Sequence, residues 1–257
     1  MNKQERFNAE ASSWVKMKDL PWAKMRYEIS HHFLMETITE KPLKILNVGC
    51  GDGIESLLLD DLKAEHLLVD YSEEMINQAE QFLSHAGFNS PYKAIVSNVY
   101  ELESKITGKY DLILFHNVLE YIDDPKQAIA ILKSLLSDKG ILSIRHLNRY
   151  TNMVAPALFQ NNLDIVEKYL KTPEFDSSFD ITMMTYTGEE VEEFITQNGL
   201  DCLHRYGVMS LNNYIVNNEI KYEPDFYNKQ KELEIYMADK FPYYHMARFG
   251  LFYCKKK

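Results

Sequence analysis

Short apolar segments alternate with longer segments of helical periodicity between residues 44 and 146. Five short segments are rich in apolar and β-branched residues, and we predict them as strands: 44–48, 66–70, 93–97, 111–116 and 141–146. Their interiors are almost entirely apolar, as in strands of a parallel sheet that is covered on both faces. The pattern therefore predicts an α/β fold with helices between parallel strands.

Residues that commonly cap helices stand between and after these strands. Ser72 is a good N-cap for a helix after the second strand, and Asp124 with Pro125 can begin the helix after the fourth. Thr187 and Glu190 have the spacing of a capping box. These signals predict where three helices begin.

The segments outside this alternation predict further elements. The first 40 residues predict a pair of amphipathic helices. Residues 151–180 contain no convincing strand and predict short helices followed by an irregular acidic loop, so we interpret this region as an insertion. Strands over 200–206 and 246–254, with a helix over 225–240 between them, would complete the chain.

Composition and charge restrict the classes of function. A chain of 257 residues with 46% apolar content can fill a sizeable core. Its apolar runs are far shorter than the ~20 residues of a membrane helix, and its start lacks a signal-peptide core, so we expect a cytoplasmic protein without membrane association. The net charge of −10 argues against broad coating of nucleic acid, although it is compatible with a local basic patch. Scattered cysteines predict reduced thiols and no metal site: Cys50, Cys202 and Cys254.

A cluster of glycines follows the first predicted strand. Gly49, Gly51 and Gly53 lack Cβ atoms, so the turn can be tight and a ligand can lie against the backbone. Asp70, at the end of the second predicted strand, would place a carboxylate beside this turn, where it can accept hydrogen bonds from ribose hydroxyls. Together these features predict a nucleoside pocket at the carboxyl ends of the strands. The alternative is that the glycines only form a turn and that Asp70 only caps the next helix.

The glycine spacing separates two classes of nucleoside-binding protein. A nicotinamide dehydrogenase would use G-x-G-x-x-G, but Ile54 occupies a glycine position of that pattern. The segment ILNVGCGDG instead resembles motif I of class I S-adenosylmethionine-dependent methyltransferases, with Asn47 where the family often has Asp. Similar landmarks follow in order in LLVDYSEEMI, VSNVYEL, DLILFHNVLEYIDDP and LLSDKGILSI.

This resemblance implies a fold. The family's fold is a seven-stranded, mostly parallel, Rossmann-like sheet with an antiparallel last hairpin, here with N-terminal helices and a helical insertion after the fifth strand. One domain, 1–257, would then consist of four parts: an N-terminal helical cap (1–40), a cofactor-binding core (41–148), an insertion or lid (149–186) and the C-terminal part of the sheet with the substrate side (187–257).

The resemblance also implies S-adenosylmethionine as the cofactor. His116 would lie under the sulfonium. Arg26 would bind the cofactor carboxylate, and its alternative is a surface cation on an amphipathic helix. The other residues that the resemblance assigns to the cofactor are Gly49, Cys50, Gly51, Gly53, Asp70, Tyr71, Met75, Asn98 and Val99.

A closer resemblance, to the bacterial tRNA 5-carboxymethoxyuridine methyltransferase family, extends over nearly the whole chain. It is carried by the segments DLILFHNVLEY, HLNRYTNMVAPALFQNNLDIV and YYHMARFGLF. That family esterifies the carboxylate of a modified wobble uridine, so the resemblance implies tRNA as the partner. A carboxylate is already ionised at pH 7, so direct displacement would need alignment rather than a strong base.

An anionic acceptor requires cations and amide donors near the carboxyl ends of the strands. The candidates are His146, Asn148, Arg149 and Arg248. We predict Asn148 and Arg248, together with His116, as the catalytic residues. Each basic residue also has a structural alternative: Arg145 and Arg149 would cap a sheet edge in water, and Arg248 would be an exposed strand residue. His116 and His146 would be hydrogen-bonded core histidines.

Two departures from that family leave other acceptors open. The segment KTPEFDSSFD is acidic where the family tends to be lysine-rich, and Met209 stands where the family tends to have arginine. The alternatives are an enzyme that methylates a small acid or a phenol and a cofactor-binding protein without catalysis. Apolar residues of the insertion would form a lid over a small substrate or stack on an extruded base: Tyr150, Met153, Leu158 and Phe159.

Overall fold

Seven strands form the central sheet in the computed structural model, which describes residue 5 and the ranges 18–176 and 181–257. The strands of the described residues are β1 (Lys44–Val48), β2 (Glu65–Asp70), β3 (Tyr92–Val96), β4 (Tyr110–His116), β5 (Leu136–Leu147), β6 (Glu174–Asp176), β7 (Thr182–Met184), β8 (Leu200–Val208) and β9 (Phe249–Lys256). The sheet order is β3-β2-β1-β4-β5-β9-β8. Strands β1 to β5 pair in parallel, whereas β9 pairs antiparallel with both β5 and β8. The predicted seven-stranded sheet with an antiparallel last hairpin is confirmed.

Helices connect these strands. They are α1 (Pro21–Thr37), α2 (Ile54–Leu57), α3 (Glu73–His85), α4 (Leu102–Lys105), α5 (Pro125–Leu135), α6 (Leu163–Lys171), α7 (Gly188–Gln197), α8 (Pro224–Met237) and α9 (Tyr243–Met246). The predicted caps are confirmed: Ser72 Oγ accepts from the backbone N–H of Met75 at the start of α3, and Asp124 caps α5. Thr187 and Glu190 form the reciprocal capping box of α7. None of the helices in the described residues is long and apolar enough to cross a membrane.

The core lies on both faces of the sheet, as the apolar strand interiors predict. Along β4, Leu112 and Leu114 point into an apolar layer that includes Ile29 of α1. The alternate residue Ile113 points into a second layer, which includes Ile129 of α5. Because successive side chains of a strand face opposite sides, a buried strand covered on both faces must be apolar at every position.

The structure differs from two predictions near the sheet. The prediction that residues 151–180 contain no strand is wrong for Glu174–Asp176, because β6 pairs antiparallel with β7, with Phe175 opposite Met183. Strands of three residues carry too little periodicity to be recognised in a sequence. The last strand begins at Phe249 rather than at 246, because the short helix α9 occupies the preceding residues.

Only one of the two helices predicted for the first 40 residues lies within the described part of the chain. Of the two predicted helices, the second corresponds to α1, and the first falls among residues 1–17, which lie outside the described residues except for residue 5. The helical insertion after the fifth strand is confirmed by α6. Short α-helical and π-helical turns lie before it, between residues 153 and 160.

Candidate active site

A cavity of about 540 Å³ opens at the carboxyl ends of β1, β2 and β4. This size is typical of a small-molecule site. Most of the residues predicted for the site line it: Arg26, Gly49, Cys50, Gly51, Asp70, Tyr71, Met75, Asn98, His116 and Arg248. The strands of a parallel sheet end at one edge, which is why residues far apart in sequence meet there.

The glycine turn forms one wall of the cavity. The backbone N–H groups of Gly49 and Cys50 donate to the carbonyl of Val69 at 2.8 and 3.0 Å, which holds the turn against the end of β2. Gly49 has a φ of +71°, and a Cβ atom built on it would lie 2.3 Å from Cγ2 of Val118. A side chain at this position would therefore be strained and would clash, so glycine is required.

Asp70 is fixed beside this turn. Its Oδ2 accepts from the Gly51 N–H and its Oδ1 from the Ser72 N–H, both at 3.0 Å. Burial raises the pKa of Asp70 to about 6, against the effect of these hydrogen bonds. Each carboxylate oxygen retains a lone pair, so this oriented group is able to accept further hydrogen bonds in the cavity.

A buried ionic cluster forms the floor of the cavity. The Glu55 carboxylate lies 2.8 Å from Nη1 of Arg145 and 2.8 Å from Nδ1 of His116. Burial alone would raise the pKa of Glu55, but Arg145 and His116 outweigh it and hold that pKa well below its usual range. Arg145 also donates from Nε to Oδ1 of Asn117 at 2.9 Å and from Nη1 to Oγ of Ser30 at 3.1 Å. The cluster thus ties β4 and β5 to α1 and to α2, the short helix after the glycines.

His116 is held within this cluster through both of its ring nitrogens. Its Nδ1 contacts Glu55, and its Nε2 lies 2.7 Å from Oγ of Ser143. Burial lowers its pKa, although Glu55 opposes that effect. Because both ring nitrogens are engaged, the ring lines the cavity without a nitrogen available to take a proton from a substrate.

Two further arginines reach the cavity. The Arg26 guanidinium lies 4.5 Å from the Tyr27 ring centroid and 5.2 Å from that of Phe249, and Arg248 lies 5.0 Å from that of Phe175. Among the described residues, no carboxylate forms an ion pair with either guanidinium. Burial lowers the pKa of Arg248 to about 10, so its charge persists at neutral pH. The cavity lining therefore holds two guanidinium groups without a close ion-pair partner in the described part of the chain, together with the carboxylates of Asp52, Glu55, Asp70 and Asp123.

Three predicted site residues do not line the cavity. Gly53 precedes α2, where a Cβ would meet Ala79 and Leu83 at 3.3 Å, and Val99 is buried in the core. Asn148 donates its amide protons to the carbonyls of His245 and Ala247, both at 2.9 Å. The expectation that Asn148 faces an acceptor is therefore corrected: its side chain fastens the chain before β9.

The other basic candidates also occupy structural positions. Arg145 is only 2% exposed, so the suggestion that it caps a sheet edge in water is wrong. Arg149 is paired with Glu190 at 2.9 Å. His146 is fully buried, and its Nε2 lies 2.2 Å from where a Cβ on Gly250 would be, so the imidazole fills space above that glycine.

Sequence reasoning missed several residues of the site. Glu55 and Asn117 line the cavity, and so do Asn212 and Asn213 from the loop after β8. Arg145 carried a usable signal, because a charge inside the apolar run ILSIRHL is expensive to bury unless it is paired. In the described part of the chain, no three His, Cys, Asp or Glu side chains are grouped so that they could hold a metal ion.

Comparison with known proteins identifies the family. Residues 39–200 match the family model described as "Methyltransferase domain". The chain belongs to this methyltransferase family. The protein is accordingly an S-adenosylmethionine-dependent methyltransferase, as its glycine spacing and Asp70 predict.

Individual methyltransferases resemble the chain over different lengths. The tRNA 5-carboxymethoxyuridine methyltransferase of Escherichia coli O157:H7 is 26% identical over 211 residues, which cover 80% of this chain and 77% of that protein. The malonyl-[acyl-carrier protein] O-methyltransferase of Anoxybacillus flavithermus is 32% identical over 141 residues, 54% of this chain and 50% of that one. The structure of magnesium protoporphyrin IX methyltransferase from Synechocystis with bound SAH shares the fold, with a TM-score of 0.64, 12% identity and coverage of 99% and 97% of the two chains.

Proposed function

We propose that this methyltransferase transfers the methyl group of S-adenosylmethionine to a carboxylate oxygen of its acceptor. The observation that carries the proposal is the Arg248 guanidinium, which lines the cavity and forms no ion pair with a described carboxylate, although the Glu120 carboxylate is near enough to raise its pKa. A guanidinium can grip both oxygens of a carboxylate through two parallel hydrogen bonds. A carboxylate acceptor would therefore give Arg248 a bidentate ion-pair partner.

The cofactor fits the other side of the cavity. The glycine turn presents the backbone of Gly49 and Gly51 directly to the cavity, and the oriented carboxylate of Asp70 suits the hydroxyls of a ribose. We assign Tyr71, Met75 and Asn98 to the adenine, and Arg26 to the cofactor carboxylate. When bound, the cofactor supplies an electrophilic methyl group.

The chain's own residues would act by binding and orientation. A carboxylate acceptor is ionised at neutral pH, so no residue has to remove a proton. A phenol would require a base, and the two ring nitrogens of His116 are both engaged with Glu55 and Ser143. Alignment of the two reactants can contribute about 7 to 11 kcal/mol to lowering the barrier. His116 is therefore not available as the base that a phenol would need, whereas a carboxylate acceptor needs none.

A modified wobble uridine of tRNA is the acceptor that we propose first. The support is the Escherichia coli relative, named as a tRNA 5-carboxymethoxyuridine methyltransferase, which the chain resembles over 80% of its length. The acceptor named there carries a carboxylate, which would suit the Arg248 guanidinium.

A small organic acid is the second candidate, and a specific observation favours it. Basic side chains of the insertion and the C-terminal part are neutralised by neighbouring carboxylates: Arg149 by Glu190, Lys168 by Asp176, Lys171 by Glu167 and Arg205 by Glu189. Cations that are already paired release fewer counterions when phosphates bind, so they contribute little to RNA affinity.

The two acceptors are separated by one labelling experiment. The enzyme is incubated with S-adenosylmethionine labelled in the methyl group and with either tRNA that carries 5-carboxymethoxyuridine or a panel of small carboxylic acids, at low and moderate salt. Label in tRNA that falls steeply with salt supports the RNA acceptor. Label confined to small acids supports the second candidate, and transfer only to phenols or amines contradicts the carboxylate proposal.

Replacement of Asp70 by alanine is expected to weaken S-adenosylmethionine binding by about 1.5 to 3 kcal/mol, because hydrogen bonds to a charged oxygen are lost. Since the pKa of Asp70 is about 6, the affinity of the parent protein should also fall as the pH is lowered through that value. Isothermal titration calorimetry measures both effects, and Asp70→Asn, which has no carboxylate, should remove the pH dependence. Parental affinity in a folded Asp70→Ala protein would refute the assignment.

A further inference from the structure

The loop after β8 is held rigidly at the cavity by buried polar groups. This 209–213 loop contributes Met209, Asn212 and Asn213 to the cavity lining. Glu234 of α8 is completely buried, and its carboxylate accepts the backbone N–H groups of Ser210, of Leu211 at 3.0 Å and of Asn212 at 2.8 Å. One carboxylate therefore fixes three consecutive peptide groups.

Asn212 is held from two further directions. Its carbonyl accepts from Nζ of Lys221 at 3.1 Å, and Lys221 is only 3% exposed. Its side-chain Oδ1 accepts from Nε2 of the buried Gln230 at 3.2 Å. Burying a carboxylate and an ammonium is costly unless both are compensated. Here the Glu234 carboxylate accepts three backbone N–H groups, and Lys221 donates to the Asn212 carbonyl and to Oδ1 of Asn218. The described contacts leave the Nδ2 amide as the group of Asn212 that can bind a ligand.

The loop is also joined to the proposed acceptor site. The Arg248 backbone N–H donates to the carbonyl of Met209 at 3.1 Å, so the backbone of the loop is hydrogen-bonded directly to the backbone of Arg248. Met209 adopts a φ of +68°, which is strained for a residue with a side chain and has to be compensated by its surroundings. The Glu234 carboxylate, which fixes the next three peptide groups, provides that compensation.

We infer that Asn212 is a specificity-determining residue, which donates a hydrogen bond from Nδ2 to an oxygen of the acceptor other than those bound by Arg248, and that Glu234 is its positioning residue. The inference rests on the proposed carboxylate acceptor and adds a second requirement, an oxygen on the body of the acceptor. A buried donor left unpaired disfavours an analogue that lacks the matching oxygen.

The test compares two acids that share a carboxymethoxy group. The first is 5-carboxymethoxyuridine presented in tRNA, whose ring carries carbonyl oxygens, and the second is phenoxyacetate, whose ring carries none. We expect Asn212→Ala to raise KM for the tRNA probe by about 10- to 100-fold, and any turnover of phenoxyacetate to be unaffected. Asn212→Asp keeps the shape but removes the donor, and should lose at least as much.

The positioning role of Glu234 is tested through Glu234→Gln, in which an amide replaces one of the two accepting oxygens. We expect KM for the tRNA probe to rise by about 5- to 20-fold, with kcat at saturation and cofactor affinity changed by less than about 2-fold. Glu232→Gln, on the exposed face of the same helix, is the matched control and should resemble the parent. If Glu234→Gln fails to fold, the two Asn212 variants still decide the inference.

The results with the Asn212 variants and the two acids separate the inference about Asn212 from the proposed carboxylate acceptor. Label in the tRNA probe with an unchanged KM in Asn212→Ala overturns the inference and leaves the carboxylate proposal standing. Full activity in Asn212→Asp overturns the donor assignment. Label in phenoxyacetate alone overturns the requirement for a second oxygen. Label in neither of these acids, and in no acid of the small-acid panel, removes the proposed function together with the inference.

Discussion

Replacement of Arg145 by methionine is expected to lower the free energy of unfolding by about 3 to 5 kcal/mol. The guanidinium is 2% exposed and lies 2.8 Å from the Glu55 carboxylate, so its removal leaves a buried negative charge without its main counter-ion. Hydrogen bonds to Asn117 and Ser30 are lost at the same time. Urea denaturation measures the change, with Arg149→Met as the control.

The control variant and the pH dependence test whether loss of the ion pair causes the destabilisation of Arg145→Met. Arg149 is partly exposed, and its replacement removes the pair with Glu190 and two hydrogen bonds to the Thr185 carbonyl, so Arg149→Met should cost about 1 to 2 kcal/mol, less than Arg145→Met. Because Arg145 and His116 depress the pKa of Glu55, the parent gains stability above about pH 4.5 and loses it as the pH falls below that value. The difference in the free energy of unfolding between the parent and Arg145→Met should therefore become smaller as the pH is lowered. A difference that stays constant between neutral and acidic pH would contradict the ionic explanation.

Arg248→Ala is expected to reduce kcat/KM by about 30-fold or more, which corresponds to the 2 to 5 kcal/mol typical of a truncated buried charge partner. Arg248→Lys should recover only part of this loss, because an ammonium cannot grip both carboxylate oxygens. The affinity for S-adenosylmethionine should stay at the parental value in both variants. Labelled methyl transfer and calorimetry, made on the same preparations, provide the two readouts.

The control for Arg248 is a paired arginine away from the cavity. Arg205 is bound by Glu189 and Glu192 and does not line the cavity, so Arg205→Ala should retain the parental kcat/KM. Equal losses in Arg205→Ala and Arg248→Ala would indicate a general effect of charge or stability. Full activity in Arg248→Ala would remove the anion-binding role.

The central sheet could be predicted because its signals are local. An apolar run such as DLILF, a cap such as Ser72 and the glycines after β1 each act through neighbouring residues. Glycine spacing and the acid at the end of β2 then indicated the cofactor, since the ends of parallel strands necessarily meet. The hairpin of β6 and β7 lacks such a signal, because Glu174–Asp176 is stabilised by its partner strand and not by its own periodicity.

The polar framework of the site could not be predicted because its contacts are long-range. Glu55 and Arg145 are 90 positions apart, and only the fold shows that the two charges meet. Glu234 looks like any other charge on an amphipathic helix, yet it holds a loop more than twenty residues earlier in the chain. Asn148 lies in a segment that resembles the family. That resemblance could not show whether its side chain contacts a ligand or, as the structure has it, donates to backbone carbonyls.

The imidazole of His146 above Gly250 has a consequence for evolution. Gly250 does not adopt the left-handed backbone region, and the three atoms nearest to a Cβ built on it all belong to the His146 imidazole, so the volume of that ring excludes a side chain there. Positions 146 and 250 are therefore expected to covary among homologous chains, with glycine retained opposite a large residue and alanine appearing where residue 146 becomes small. A substitution at only one of the two positions would leave a clash or a cavity. A double substitution, small at 146 and alanine at 250, would restore the packing.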